Sequence, residues 1–321
     1  MRGGERVAAH AHAGGVRSSP FEGFTDVVLV SSGPRASVYT AVEPRAARPV
    51  ALKVLSVQDV GPASLEAFER EAAVLGTLSS HPNIVTLYEA YTIADGRPVL
   101  VLERCESSLA ERLHRDGSLP VAEAVSIGVK LAGALETAHG GGVLHRNVRP
   151  ENILVTAFGE PALADFGIAL LSTADQQSDL YDFPSVHVAP ELLLGAEATP
   201  ATDVYGLGAT LHTLITGAPP LPQYDGENVA ASVLRVLRDV PPPVAGPGVP
   251  YELTDLLAWA LAKDPAARPP SMGWLAEELA RIEGHAGWPR TQLHVREPGA
   301  PIRVRGGLLR HRPRFRPTKR S

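Results

Sequence analysis

Sulfur chemistry is nearly absent from this sequence: 321 residues contain one cysteine, Cys105. A single thiol excludes an internal disulfide and fits a reducing compartment. No run of 18 apolar residues occurs, so no transmembrane helix is expected. Met1–Ser19 lacks the compact apolar stretch of a signal peptide and reads as a disordered leader. Self-similarity at solenoid periods is missing as well. A cytoplasmic protein is the expectation from these absences. Net charge is −5, too small to name a partner, but it is unevenly spread. From His285 onward ten Lys/Arg face one acid, Glu297, which leaves +9 in the tail and −14 in the rest.

Apolar residues make up 44% of the chain, enough for a sizeable core. Short Val- and Ala-rich runs bounded by turn residues predict strands at Asp26–Gly33, Ser37–Glu43 and Pro49–Leu55, and two more at Ile84–Tyr91 and Pro98–Arg104. Phe68, Ala72 and Leu75 recur at helical spacing and predict a helix over Ala63–Leu78. After Cys105 the pattern turns helical. Pro120 suits a first helical position, and Ala124, Ile127, Leu131, Leu135 and Ala138 make one apolar stripe that ends at Gly140–Gly142. Further helices are expected at Thr202–Thr216, Asn228–Arg238, Tyr251–Ala262 and Ser271–Ile282, with a Pro-rich linker over Val240–Pro250. Beyond Gly284 the sequence is aperiodic and rich in Pro, Gly and Arg, and disorder is expected.

Several local patterns carry chemistry. Ser31–Tyr39 joins two strands with small residues, as a phosphate-cradling turn requires, yet of the glycines such a turn would use only Gly33 is present. Ser31 and Ala36 occupy the other positions, and taken alone the stretch is better explained as a plain hairpin. Lys53 lies within the apolar strand Val50–Val54; it either meets an anion, for which Glu71 on the next helix is a candidate, or snorkels to solvent. The sequence His145-Arg146-Asn147-Val148-Arg149-Pro150-Glu151-Asn152, then Asp165-Phe166-Gly167, then Ala189-Pro190-Glu191, is the strongest signal.

With these in order, the chain resembles the eukaryotic-type Ser/Thr protein kinases of bacteria over roughly four-fifths of its length. The resemblance implies an α+β protein-kinase fold, with a β-rich N-lobe at 24–104 and a helical C-lobe at 105–284, flanked by a leader at 1–23 and a basic tail at 285–321. It implies ATP and Mg²⁺ as ligands. On it, Lys53 pairs with Glu71 and holds phosphates, and Asn152 and Asp165 are the metal positions. Ser31, Gly33 and Ala36 line the phosphate turn, and Val38, Ala51 and Leu154 sandwich the adenine. Leu102 is the gatekeeper before a hinge of Glu103, Arg104 and Cys105. His81–Ile84 is the turn after the N-lobe helix, and Leu75, Leu87, His145 and Phe166 are the stacked side chains that couple the lobes. Asp203 is the anchor of the central helix, and Glu191 and Arg268 form a buried ion pair.

Three positions depart from that pattern. Asn147 stands where the family carries an Asp that orients the attacking hydroxyl, and an amide takes no proton near neutral pH. Arg149 replaces a Lys beside the transferred phosphate, a planar fork in place of a point charge. Pro184 replaces a Thr of the peptide platform, and His187 falls where a Tyr is usual. The expectation is an ATP-binding pseudokinase that acts through a conformational change presented to a protein partner. A slow Ser/Thr kinase and a nucleotide-independent scaffold are the alternatives.

The loop after Gly167 holds Ser172, Thr173, Ser178 and Tyr181 as candidate phosphosites for Arg146, and Asp175, Asp179 and Asp182 as substitutes for a phosphate. A solvated acidic loop is the plainer reading. The tail Pro301–Ser321 is read as solvated, as a contact for nucleic acid or anionic lipid, or as an arm docking on the acidic body; with Phe315 as its aromatic residue it is no stacking platform.

Overall fold

The computed structural model describes residues 20–34, 36–56, 68–69, 72–73, 75–166, 186–224 and 226–296. Strands β1 (Thr25–Ser32), β2 (Ala36–Glu43), β3 (Arg48–Leu55), β4 (Leu87–Thr92) and β5 (Pro98–Glu103) form an antiparallel sheet in the order β1-β2-β3-β5-β4. Alternation along β3 sends Val50, Leu52 and Val54 to one face, where they pack with Phe21, Val99 and Val101. On the other face Leu55, Leu87, Ala90 and Leu100 meet Phe68 and Ala72 of the described helical residues 68–69, 72–73 and 75–78.

The expected strand at Ile84 begins three residues later. Within 81–85 the backbone bonds partly inside the turn, and Asn83 and Val85 reach the other lobe. Val85 N–H donates to Leu163 O at 2.9 Å, and Asn83 O accepts from Leu163 N–H at 2.9 Å. The Asn83 amide adds a bond to Pro161 O at 2.8 Å.

The second lobe holds a small sheet of β6 (Ser107–Ser108), β7 (Ile153–Val155) and β8 (Pro161–Leu163). Helix α1 (Leu109–Asp116) has a capping box, with Ser108 accepting from Glu111 N–H and Glu111 from Ser108 N–H. Helix α2 spans Val121–Gly140, with Pro120 as its cap and not its first residue. It packs on α4 (Pro200–Thr216), which is buried along nearly its whole length. The short α3 (Pro190–Leu193), then α5 (Val229–Arg238), α6 (Tyr251–Ala260) and α7 (Met272–His285) complete the lobe. Gly208 lets α4 approach α6, since a Cβ there would lie 2.9 Å from Ala260 Cβ.

The expectation of disorder from residue 285 fails through Arg296. Trp288 and Leu293 pack against the main core, and Thr291 bonds to α7 and α2 side chains. No periodic pattern marks this stretch, because it is held by single contacts and not by a repeating face. Residues 297–321 and the leader to Ser19 lie outside the described residues. Among the described residues no helix is long and apolar enough to cross a membrane.

Candidate functional site

Two carboxylates organise the region between the lobes, Asp203 buried and Asp165 exposed. Asp203, on α4, is 1% exposed. It accepts from His145 N–H at 2.9 Å, Arg146 N–H at 2.6 Å and His139 Nε2 at 2.8 Å. The loop 145–147 is thereby nailed to the helix, and Arg146 is held at a φ of 66°. His145 donates from Nε2 to Ala164 O at 2.9 Å, and its Nδ1 accepts from Asn147 N–H at 3.3 Å. Burial holds the imidazole below its ordinary pKa, against the pull of Asp203 and Asp165. Its ring packs on Phe166 at 4.6 Å. Leu75 packs against both the main core, which includes Phe166, and the N-lobe cluster containing Leu87, so the four expected stacking residues are linked.

Asp165, at a φ of 63°, accepts from Lys53 Nζ at 2.6 Å. The Lys53 head therefore meets an anion, and the snorkelling alternative is set aside. The expected partner Glu71 lies outside the described residues. Asn152 uses its Nδ2 to donate to Asn147 O at 2.9 Å, which leaves the amide oxygen for other use. With the second Asp165 oxygen this supplies two hard oxygen donors, the set that Mg²⁺ accepts alongside phosphates and water.

The apolar positions also converge. Leu102, Cys105 and Leu154 pack against one cluster of Val85, Ala162 and Ala164. Ala51 pairs with Leu102 in the β3–β5 ladder, and Val38 with Lys53 in the β2–β3 ladder. Glu103 is engaged structurally, accepting from the Thr86 hydroxyl at 3.1 Å. Burial, then the Glu103 charge, pushes the Cys105 thiol up to about 12, so it is inert as a thiolate near neutrality. In the β1–β2 turn Ser31 pairs with Val38, and Gly33 N–H donates to Ala36 O at 2.9 Å. That N–H is spent inside the turn.

Asn147 is exposed, and it is its backbone N–H and carbonyl that bond to His145 and Asn152. Arg149 donates from Nε to Glu151 at 2.7 Å. Burial would raise the Glu151 carboxyl, but the Arg149 bond and charge outweigh it and hold the group low. His187 donates to or accepts from the Thr213 hydroxyl at 2.8 Å in a buried site. Glu151, His139 and Thr213 were not expected as site residues; the Arg149–Glu151 spacing of two was a readable signal, while His139 and Thr213 carried none. Gly167, Ser172, Thr173, Asp175, Ser178, Asp179, Tyr181, Asp182 and Pro184 fall outside the described residues.

A model of the protein kinase domain matches residues 24–279. The chain belongs to the protein kinase family. The serine/threonine-protein kinase PknK of Mycobacterium tuberculosis is 41% identical over 267 residues, which cover 83% of this chain and 24% of PknK. PknA of the same organism is 32% identical over 270 residues, covering 82% of this chain and 62% of PknA. The chain thus spans about a quarter of the length of the first of these curated relatives and under two thirds of the second. The crystal structure of the M. tuberculosis PknI kinase domain superposes with a TM-score of 0.63 at 30% identity, covering 82% of this chain and 97% of that one. The kinase fold expected from the motifs, a β-sheet N-lobe over a helical C-lobe, is what the structure contains.

Proposed function

We propose that this kinase domain binds ATP with Mg²⁺ and transfers phosphate weakly or not at all, acting as a conformational regulator of a protein partner. The observation that carries the reading is Asn147: an uncharged, exposed amide at the position where this family places its proton acceptor. Losing a general base costs about 10²- to 10⁴-fold. Arg149 adds to the loss, because its guanidinium is engaged by Glu151 within the loop. Nucleotide binding is supported by what remains. Lys53 supplies a cation next to Asp165, and Asp165 and Asn152 supply oxygens that would hold Mg²⁺. Bound there, the metal would neutralise the phosphates. A closed cleft would then differ in surface from an open one, which is the basis for signalling to a partner.

A slow Ser/Thr kinase is the second reading, because phosphoryl transfer rests chiefly on positioning and charge, and Lys53, Asn152 and Asp165 retain both. Labelled ATP, Mg²⁺ and generic protein substrates separate the two. Transfer by the wild type that Asp165→Ala abolishes establishes the slow kinase. No transfer above the Asp165→Ala background, with Mg²⁺–ATP still raising the melting temperature, supports the regulator. Absence of any thermal shift at millimolar nucleotide would remove nucleotide binding and leave a scaffold.

A further inference from the structure

The match to the kinase family ends at residue 279, yet the folded chain continues to Arg296. After α7 the chain turns back, with Trp288 N–H donating to Glu283 O at 2.9 Å. Thr291 then fastens it. Its N–H donates to Glu283 Oε2 at 2.9 Å, its hydroxyl donates to Glu283 Oε1 at 2.5 Å, and that hydroxyl lies 2.8 Å from Ser126 Oγ. Glu283 is wholly buried, so these bonds satisfy a carboxylate that burial would otherwise penalise. Further on, Arg296 N–H donates to the Thr137 hydroxyl at 3.1 Å.

Ser126, Gly133 and Thr137 lie on one stripe of α2, at spacings that helical geometry superimposes. Gly133 is the groove of that stripe. A Cβ there would stand 2.4 Å from His294 O and 2.8 Å from Leu293 Cδ1. The last link reaches the other lobe. His81 Nε2 donates to His294 O at 3.0 Å, and the same imidazole accepts on Nδ1 from Asn83 N–H at 3.1 Å. One carbonyl of the strap thus orients a ring that shapes the His81–Ile84 turn. That turn follows the helical residues 75–78, and Leu75 packs against both the main core, which includes Phe166, and the N-lobe cluster containing Leu87.

We propose that residues 288–296 are a built-in clamp, seated on the Ser126–Gly133–Thr137 stripe, that holds the His81–Ile84 turn and through it the N-lobe helix. The chain beyond Arg296 is then attached to a lever on the nucleotide cleft, and whatever engages that segment acts on the cleft from behind. Coupling of this kind is reciprocal: nucleotide that orders the cleft also tightens the strap. The nucleotide half of the proposal rests on the ATP-binding reading above; the mechanical half does not.

Gly133→Ala on the full chain is the test. Alanine is a better helix former than glycine, so α2 keeps its fold while its new methyl group displaces the strap. Thr291→Val is the second variant, removing the hydroxyl's bonds to Glu283 and Ser126 without adding bulk. Hydrogen–deuterium exchange is expected to rise about fivefold or more both at 289–296 and at 78–87, the scale of one lost hydrogen bond. His81→Phe should loosen 291–296 from the other end. Exchange that rises in the strap while 78–87 stays as in wild type overturns the clamp, and so does failure of both variants to free the strap. Calorimetry then adds the nucleotide arm, with Mg²⁺–ATP binding weakened about fivefold or more in Gly133→Ala. Unchanged affinity in that variant refutes coupling to the cleft. A wild type that binds no nucleotide refutes the ATP-binding reading, and the exchange data still judge the clamp.

Discussion

Lys53 Nζ and Asp165 Oδ1 stand 2.6 Å apart, joining the third strand of one lobe to the segment that follows β8 in the other. The Lys53 side chain is 13% exposed and that of Asp165 38%, so the ammonium is largely covered while the carboxylate stays open to solvent. A phosphate entering here would share the ammonium with Asp165. A hydrogen bond to a charged group contributes about 1.5–3 kcal/mol, so Lys53→Met should weaken Mg²⁺–ATP binding by about tenfold to hundredfold. Titration calorimetry reads this directly. Equal affinity in the variant and the wild type would remove Lys53 from the binding site.

The loop His145–Asn152 predicts a graded response to substitution. Asn147→Asp restores a proton acceptor, but Arg149 is still engaged by Glu151. Asn147→Asp alone should therefore recover less than the roughly 10²- to 10⁴-fold that a general base supplies. Adding Arg149→Lys, a point charge on a flexible stem, should raise transfer further, and by more on top of Asn147→Asp than in the wild type. Radiolabel incorporation into a generic substrate gives the four rates. Full recovery from the first substitution would show that the Arg149–Glu151 contact is not an obstacle.

These contacts also show where the sequence was readable. Lys53 was legible as an ammonium inside an apolar strand, whereas Asp165, Asn152 and Asp203 were legible only through the family resemblance; in the structure Lys53 meets Asp165, Asn152 bonds to Asn147 O and Asp203 to His145 N–H. Strand and helix spans came from periodicity and differ from the observed ones by a few residues at their ends. Ile84 reads as strand because it is apolar, whereas its turn bonds across to β8 instead. Helix α1 escapes a periodicity reading because it is short and its start signal, Ser108 with Glu111, follows a hinge and not an apolar run. The strap escapes for a related reason. Glu283, Thr291 and Gly133 are far apart in sequence, and only the folded chain makes a buried carboxylate, a hydroxyl and a missing side chain into one joint.

His187 makes stability depend on pH. Burial pushes its pKa down to about 4; the Glu151 charge opposes this, and those of Arg149 and His212 add to it. The folded value lies below the unfolded one, near 6.5, so the unfolded chain binds the extra proton. Stability is whole above about pH 6.5 and falls as the pH drops toward 4, by about 2 kcal/mol from this residue at pH 5. Burial lowers His81, His145 and His212 in the same direction, so their effects add. Urea melts at pH 7 and pH 5 should show His187→Phe losing less stability between the two than wild type does. An unchanged difference would place the acid sensitivity in the other imidazoles.

The Glu191–Arg268 pair responds to acid in another window, which separates it from the histidines. Arg268 donates to both Glu191 oxygens, at 2.8 and 2.7 Å, and to Ala201 O and Ala262 O at 2.8 Å each. Burial would raise the Glu191 carboxyl, but these Arg268 bonds, with the Thr202 hydroxyl, hold it below its ordinary value. Its folded pKa is the lower one, so its contribution is whole above about pH 4.3 and is lost only as the pH falls through the depressed value. Between pH 7 and 5 the pair is intact, and acid loss there is not its doing. Arg268→Ala leaves a buried carboxylate unpaired and should cost about 3–5 kcal/mol at neutral pH. Swapping both partners for apolar residues often restores such a loss elsewhere. Here it should not, because the Ala201 and Ala262 carbonyls lose their donor as well. Denaturant midpoints for Arg268→Ala and for Glu191→Leu with Arg268→Met decide the matter: a double variant as stable as wild type would mean that those carbonyls find other partners.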